Sequence, residues 1–229
     1  MRIVTLLPSA TEIVCKLGLK ENLMGVSHEC DSPTSVQNLP KLTSSSIGKY
    51  RSSKEIHRSV EELLKSSISV YDLNLELLAS LNPDYIITQD LCDVCAVSFS
   101  QVEDACNRVL GPETKIIPLR PQRLHDVWED VRRVAVELDA VSAYENFKED
   151  LDQRIEHIRK TVATNQPRKN SVLTIEWFDP IMIGGLWVPE MIDIAGGSSL
   201  LAKPGTKAFT ATRENLAEIN PDVVVIKPC

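Results

Sequence analysis

No stretch of the 229-residue sequence approaches the ~20 consecutive apolar residues of a membrane span, so insertion into a bilayer is not expected. Positive charge is in short supply: 25 Lys and Arg stand against 32 Asp and Glu, a net charge of −7. A nucleic-acid binder carries a basic face, so that class is excluded, and an anionic membrane surface is an equally poor partner. Six cysteines are too few for a disulfide scaffold and read as thiols. The phosphate-cradling patterns GxGxxG and GxxxxGK[ST] are missing. So are the GxSxG nucleophile elbow and any Cys–His–Asn set, which leaves nucleophilic hydrolysis without support. The first residues hold only Arg2 as a basic n-region and no small-residue cleavage site. They read as a strand entering a helix, which places the chain as written in the cytoplasm. An exported protein given in its mature form would look the same.

What is present is an ordinary globular mixture, 43% hydrophobic and 25% charged, long enough for one large domain or two small lobes. Short apolar runs alternate with helical patterns. Arg2–Leu7 reads as a strand, and Pro8 starts a helix (Ala10, Ile13, Val14, Leu17) that Gly18 stops. Strands are expected at Leu23–Ser27, Tyr85–Thr88, Lys115–Leu119 and Val172–Glu176, and residues 32–53 as loop. Leu124, Val127, Trp128, Val131, Val134, Ala135 and Leu138 form an amphipathic stripe over 122–140, and a second helix covers 143–163. Trp128 belongs to that stripe and is a core residue by default, while His57, His125 and His157 lie among charges on helices and read as solvated. An internal echo appears at 76–87 (ELLASLNPDYII) and 214–225 (ENLAEINPDVVV). In each copy a helix halts before proline and a buried parallel strand is expected to follow. A second pair of helices runs from proline to glycine, at Pro8–Gly18 and Pro189–Gly196. Together the echoes point to a duplicated α/β lobe.

In open α/β sheets ligands sit beyond the carboxyl ends of the strands. Those positions hold His28, Glu29 and Cys30, then Gln89, Asp90, Cys92 and Cys95, then Glu176, Trp177, Phe178 and Asp179, and finally Cys229. His28, Cys30, Cys92 and Cys95 supply the N and S donors that zinc or another soft metal prefers. The bland alternative is that Cys92 and Cys95 are small half-buried residues pinning a loop. A thiol-redox role for the CxxC lacks a recognisable partner region. Trp177, Phe178 and Trp187 flank Gly184-Gly185, where backbone either approaches a ligand or turns tightly. Aromatic faces beside glycine suit a broad, flat ligand, the alternative being that a tryptophan fills the core.

The segments 2–33, 71–98, 176–197 and 219–229, with their SHECD, DLCDVC and GGLWVPEM pieces, resemble the substrate-binding proteins of cobalamin and ferric-siderophore ABC importers. This is the class III periplasmic-binding-protein fold, or helical-backbone metal receptor superfamily, in its cobalamin-binding-like subgroup. The resemblance implies an α/β fold of two Rossmann-like lobes bridged by one long helix, with the ligand in the cleft between them. The lobes are expected at 1–120 and 166–229 and the helical connector at 121–165. It implies a non-catalytic protein that binds a corrinoid such as cobalamin, or a related tetrapyrrole or metal chelate, and works with an ABC importer, in the periplasm if the sequence is a mature form. His28, Glu29, Cys30, Tyr71, Asp90, Leu91 and Cys92 would line one side and Trp177, Phe178, Gly185, Trp187 and Phe209 the other. Two rivals remain open: a zinc- or iron-type metal-ion binder using His28, Cys30, Cys92 and Cys95, and a cytosolic cofactor-handling thiol enzyme. Members of the superfamily carry a final helix past the last strand. The C-terminal lobe is therefore expected to be incomplete at Cys229, or completed by a partner or second copy.

Overall fold

Strand β1 (Ile3–Thr5) runs into helix α1 (Pro8–Lys16), whose first turn takes Pro8 because proline's fixed φ suits a position with no NH partner. The helix ends in a paired lock. Gly18, at φ +77°, donates to Cys15 O, and Leu19 donates to Val14 O. The computed structural model describes residues 1–48, 52–66, 69–92, 96–165 and 168–228. They fall into two units. Unit 1 comprises Met1–Lys49, Arg58–Arg120 and Val131–Tyr144, and unit 2 comprises Tyr50–His57, Pro121–Asp130 and Glu145–Cys229.

Unit 1 is built on a parallel sheet in the order β2 (Leu23–Val26), β1, β5 (Tyr85–Gln89), β6 (Lys115–Leu119). Adjacent residues of a strand point to opposite faces. Ile3, Ile87 and Ile117 therefore join one core cluster, with Val14 of α1 and Leu17 just after it, and with Val134 and Ala135 of the second half of α5 (Leu124–Glu137) and Leu138 just after it. Val4 and Ile86 join another, with Leu78 of α3 (Leu75–Leu81) and Val102 and Cys106 of α4 (Phe99–Val109). Both faces of the sheet are covered, which is why its strands read as unbroken apolar runs. Each fully buried aliphatic side chain here contributes about 1.5–3 kcal/mol. Inside the stretch read as loop, β3 (Thr43–Ser45) pairs antiparallel with β4 (Tyr71–Leu73). Neither strand is apolar enough to announce itself. Helix α2 (Ser53–Lys65) separates them in sequence.

The long helical stretch forms as α5 and α6 (Val141–Asn165), interrupted once. Asp139 takes φ +54° and donates to Val136 O, and Ala140 donates to Ala135 O, the same lock as at Gly18. No glycine marks the break, because Asp is one of the few other residues that tolerates this conformation.

Unit 2 is centred on the nine-residue β7 (Asn170–Phe178). Strands β8 (Ile181–Ile183) and β9 (Gly197–Ser199) pair with β7, β8 antiparallel and β9 parallel. β10 (Phe209–Thr210) extends the sheet from β8, and β11 (Val223–Ile226) pairs parallel with β7. Helix α7 (Val188–Ile194) precedes β9 and α8 (Arg213–Ala217) precedes β11. The core is small: Leu173, Ile183 and Ala202 are buried, with Ile175, Phe209 and Leu216 packed on them. The two echo copies differ here. β5 is central and buried, whereas β11 lies at the end of the strand order and Val223, Val224, Val225 and Ile226 are 40–55% exposed. The expectation of a buried strand in the second copy is therefore not met, because the sheet ends there. Among the described residues no helix is long and apolar enough to cross a membrane.

Candidate functional site: the strand-end loops

In unit 1 the carboxyl ends of β1 and β2 open onto a recess of about 120 Å³, lined by Leu6, Pro8, Ser27, Glu29, Thr43 and Tyr71 among others. His28 stands beside Tyr71, with ring centroids 5.7 Å apart. Thr43 Oγ1 donates to Ser27 Oγ at 3.1 Å, accepts from the His28 backbone NH at 3.1 Å, and shares a 2.7 Å hydrogen bond with His28 Nδ1 whose direction depends on the ring's tautomer. Nε2 is buried 3.3 Å from Glu29 Oε1, within ion-pair distance, and makes no hydrogen bond among the described residues. A spare ring nitrogen beside a carboxylate suits a metal centre or a polar group of a ligand.

Cys30 is turned the other way. It is 2% exposed, and its Sγ sits 3.0 Å from Thr11 Oγ1, which is itself 2.6 Å from Thr5 Oγ1. Burial raises the pKa of this thiol, with the hydrogen bond from Thr11 opposing, so it is held protonated. The structure thus brings His28, Glu29 and Tyr71 together and leaves the Cys30 sulfur in the core. Cys95 lies outside the described residues. Among the described residues, no three His, Cys, Asp or Glu side chains gather to hold a metal ion.

After β5 the loop is organised by Gln89, one of the strand-end positions expected to meet ligand, which instead holds the loop's own backbone. Gln89, 6% exposed, accepts from the backbone NH of Leu91 (2.6 Å) and Cys92 (2.8 Å) and donates to Cys92 O (2.5 Å). Leu91 and Cys92 are held half-buried in consequence. Asp90 is paired with Arg120 Nε at 2.9 Å. A glutamine ending a strand carries no sequence signal for this work.

In unit 2, β7 delivers Glu176, Trp177 and Phe178 at its carboxyl end. Phe178 is 49% exposed, and Trp177 is half-buried with its indole NH on Asp179 O at 3.2 Å. Glu176 is paired with Lys227 Nζ at 2.6 Å. A side chain at Gly185 would collide with the carbonyl of Thr206, so this glycine serves the close passage of the unit's own 206–208 backbone. Trp187 is half-buried just before α7, and Phe209 packs on the unit's core cluster. Trp128, expected in the core, is instead half-exposed.

Sheets of parallel strands with polar and aromatic residues on their carboxyl-end loops define an α/β protein of the kind that holds ligands at strand ends. The chain belongs to the periplasmic binding protein family, whose model matches residues 3–229. No curated protein matches it. Several solved structures share its fold. The periplasmic vitamin B12 binding protein BtuF of Vibrio cholerae is similar with a TM-score of 0.67 and 18% identity, over 98% of this chain and 75% of that one. The periplasmic heme-binding protein HutB of Vibrio cholerae gives 0.70 and 18%, over 99% and 76%. IsdE of S. aureus complexed with heme gives 0.69 and 15%, over 100% and 76%.

Proposed function

We propose that the chain is a non-catalytic binding protein for a cobalamin-like corrinoid or a related tetrapyrrole. In this reading it serves an ABC importer, and family membership favours the periplasm over the cytoplasm as its station. The observation that carries the reading is His28. Its ring is fixed by Thr43 at a strand end, and its Nε2, buried beside Glu29 without a hydrogen-bond partner among the described residues, is the group that would ligate a ring-bound cobalt or iron, or bond a ring amide, once the imidazole turns it into the open. The 120 Å³ recess beside it is too small for a whole macrocycle, since sites for drug-sized ligands span about 300–1,000 Å³. It would take a peripheral group, with the ring lying over it. Trp177 and Phe178 offer flat apolar surface of the kind such rings stack on. Burying a few hundred Å² of ring at ~25 cal/mol per Å² supplies several kcal/mol before the costs of association. Likeness to B12- and heme-binding proteins supports the ligand class without choosing between corrin and haem.

Calorimetric and absorbance titration of the purified chain with cyanocobalamin, cobinamide and hemin tests this. One of them is expected to bind, with its visible bands shifted. His28→Ala is expected to weaken binding at least tenfold and to remove the shift if Nε2 is the axial ligand. Failure of all three to bind would refute the reading.

A further inference from the structure

Unit 2 contains a larger cavity than the strand-end recess, of about 670 Å³, and none of Glu176, Trp177, Phe178, Gly185, Trp187 and Phe209 lines it. Its walls come from the first turns of α5, the middle turns of α6, α7, β9 and the 202–204 loop. One side is apolar and partly aromatic, with Trp128, Ile155 and Ile194. The rest is cationic. Five Lys and Arg side chains line it against three carboxylates, in a chain whose net charge is −7. The three carboxylates are already engaged: Glu190 with Arg123, Asp152 with Lys148, and Asp193 with Lys169. Among the described residues Arg159 and Lys203 have no carboxylate partner, and the buried hydroxyl of Ser199, on β9, makes no hydrogen bond. Two cations without carboxylate partners among the described residues and an indole, all lining one space, are the elements of an anion site with a ring-stacking wall.

We propose that this cavity is a second ligand site, taking a small phosphorylated molecule with a flat ring, of nucleotide size. The phosphate would meet Arg159 and Lys203, and the ring would lie on Trp128. The volume is within the usual range for such ligands. The site does not depend on the ligand read for the strand-end loops, and both can be true or false separately.

The test is titration of the whole purified chain with AMP at low ionic strength, followed by calorimetry and tryptophan fluorescence. Inorganic phosphate serves as the ringless probe. AMP is expected to bind one to one, more tightly than phosphate, and to quench fluorescence. Arg159→Gln and Lys203→Gln are each expected to lower affinity about tenfold. Trp128→Leu should weaken AMP but not phosphate. Lys160→Gln removes the same charge one residue from Arg159 but outside the cavity, and should leave affinity within about twofold. Circular dichroism and melting confirm that the variants fold, and two independent cation variants guard against one failing. No binding of AMP at about 10 mM would overturn the proposal. So would equal losses in Lys160→Gln and Arg159→Gln, which would mean diffuse attraction only.

Discussion

Thr43 holds the His28 ring while being an inconspicuous residue in a short strand. Thr43→Val removes the hydroxyl that the His28 backbone NH and Nδ1 both bond. The expected cost is about 1–3 kcal/mol of stability, and ¹⁵N NMR of the imidazole should show the Nδ1 resonance move. An unchanged Nδ1 resonance would contradict the contact. Glu190 gives a second residue-level prediction. The hydrogen bond from Arg123 (2.9 Å) holds its carboxyl below the usual range, assisted by the NH of Leu124 (2.8 Å). A lowered folded pKa contributes stability that is present above the unfolded value of about 4.3 and lost as pH falls through the folded one. Urea midpoints of the parent and of Glu190→Gln should differ at pH 7 and converge as pH falls through the lowered folded pKa. At this scale the sequence was partly legible. His28, Glu29, Trp177 and Phe178 stood out because their chemistry is conspicuous after a strand. Thr43 did not, and Gln89 was singled out only by its place after a strand, because their importance lies in which backbone and ring atoms they meet, and that is set by folding.

Helices and strands with local causes were readable, and those depending on partners were not. The stop at Gly18 followed from composition, and Gly18→Ala should cost about 1–2 kcal/mol, read from the melting midpoint. A side chain there meets nothing within 4 Å, so the loss is conformational alone. The break at Asp139 lacked a glycine to betray it. β3 and β4 are three residues each and exist through their pairing with one another. The Asn-Pro-Asp echo correctly announced two parallel strands, but repetition of sequence did not repeat the surroundings. Leu173→Ala in β7 should therefore cost about 2–5 kcal/mol, as a buried truncation does. Val225→Thr in β11 should stay within about 0.5 kcal/mol while reducing self-association at an open apolar edge. A large loss from Val225→Thr would show that the strand is covered in solution.

At the level of the molecule, the alternation of apolar runs and helical patterns was enough to read the α/β class. The discontinuity of both units was beyond the sequence's reach, since a helical stripe does not say which sheet it packs on. Val134, Ala135 and Leu138 close the face of the sheet that Ile3, Ile87 and Ile117 open. A fragment of residues 1–120 is thus expected to lack a cooperative thermal transition and to bind hydrophobic dyes, and extension to residue 144 is expected to restore the transition. Cooperative melting of the shorter piece would overturn this. The same dependence has a biosynthetic side. A ribosome adding about 5–20 residues per second spends on the order of ten seconds between Ile3 and Leu138. For that interval the nascent sheet carries a sticky, uncapped face, and a holding chaperone would find it there.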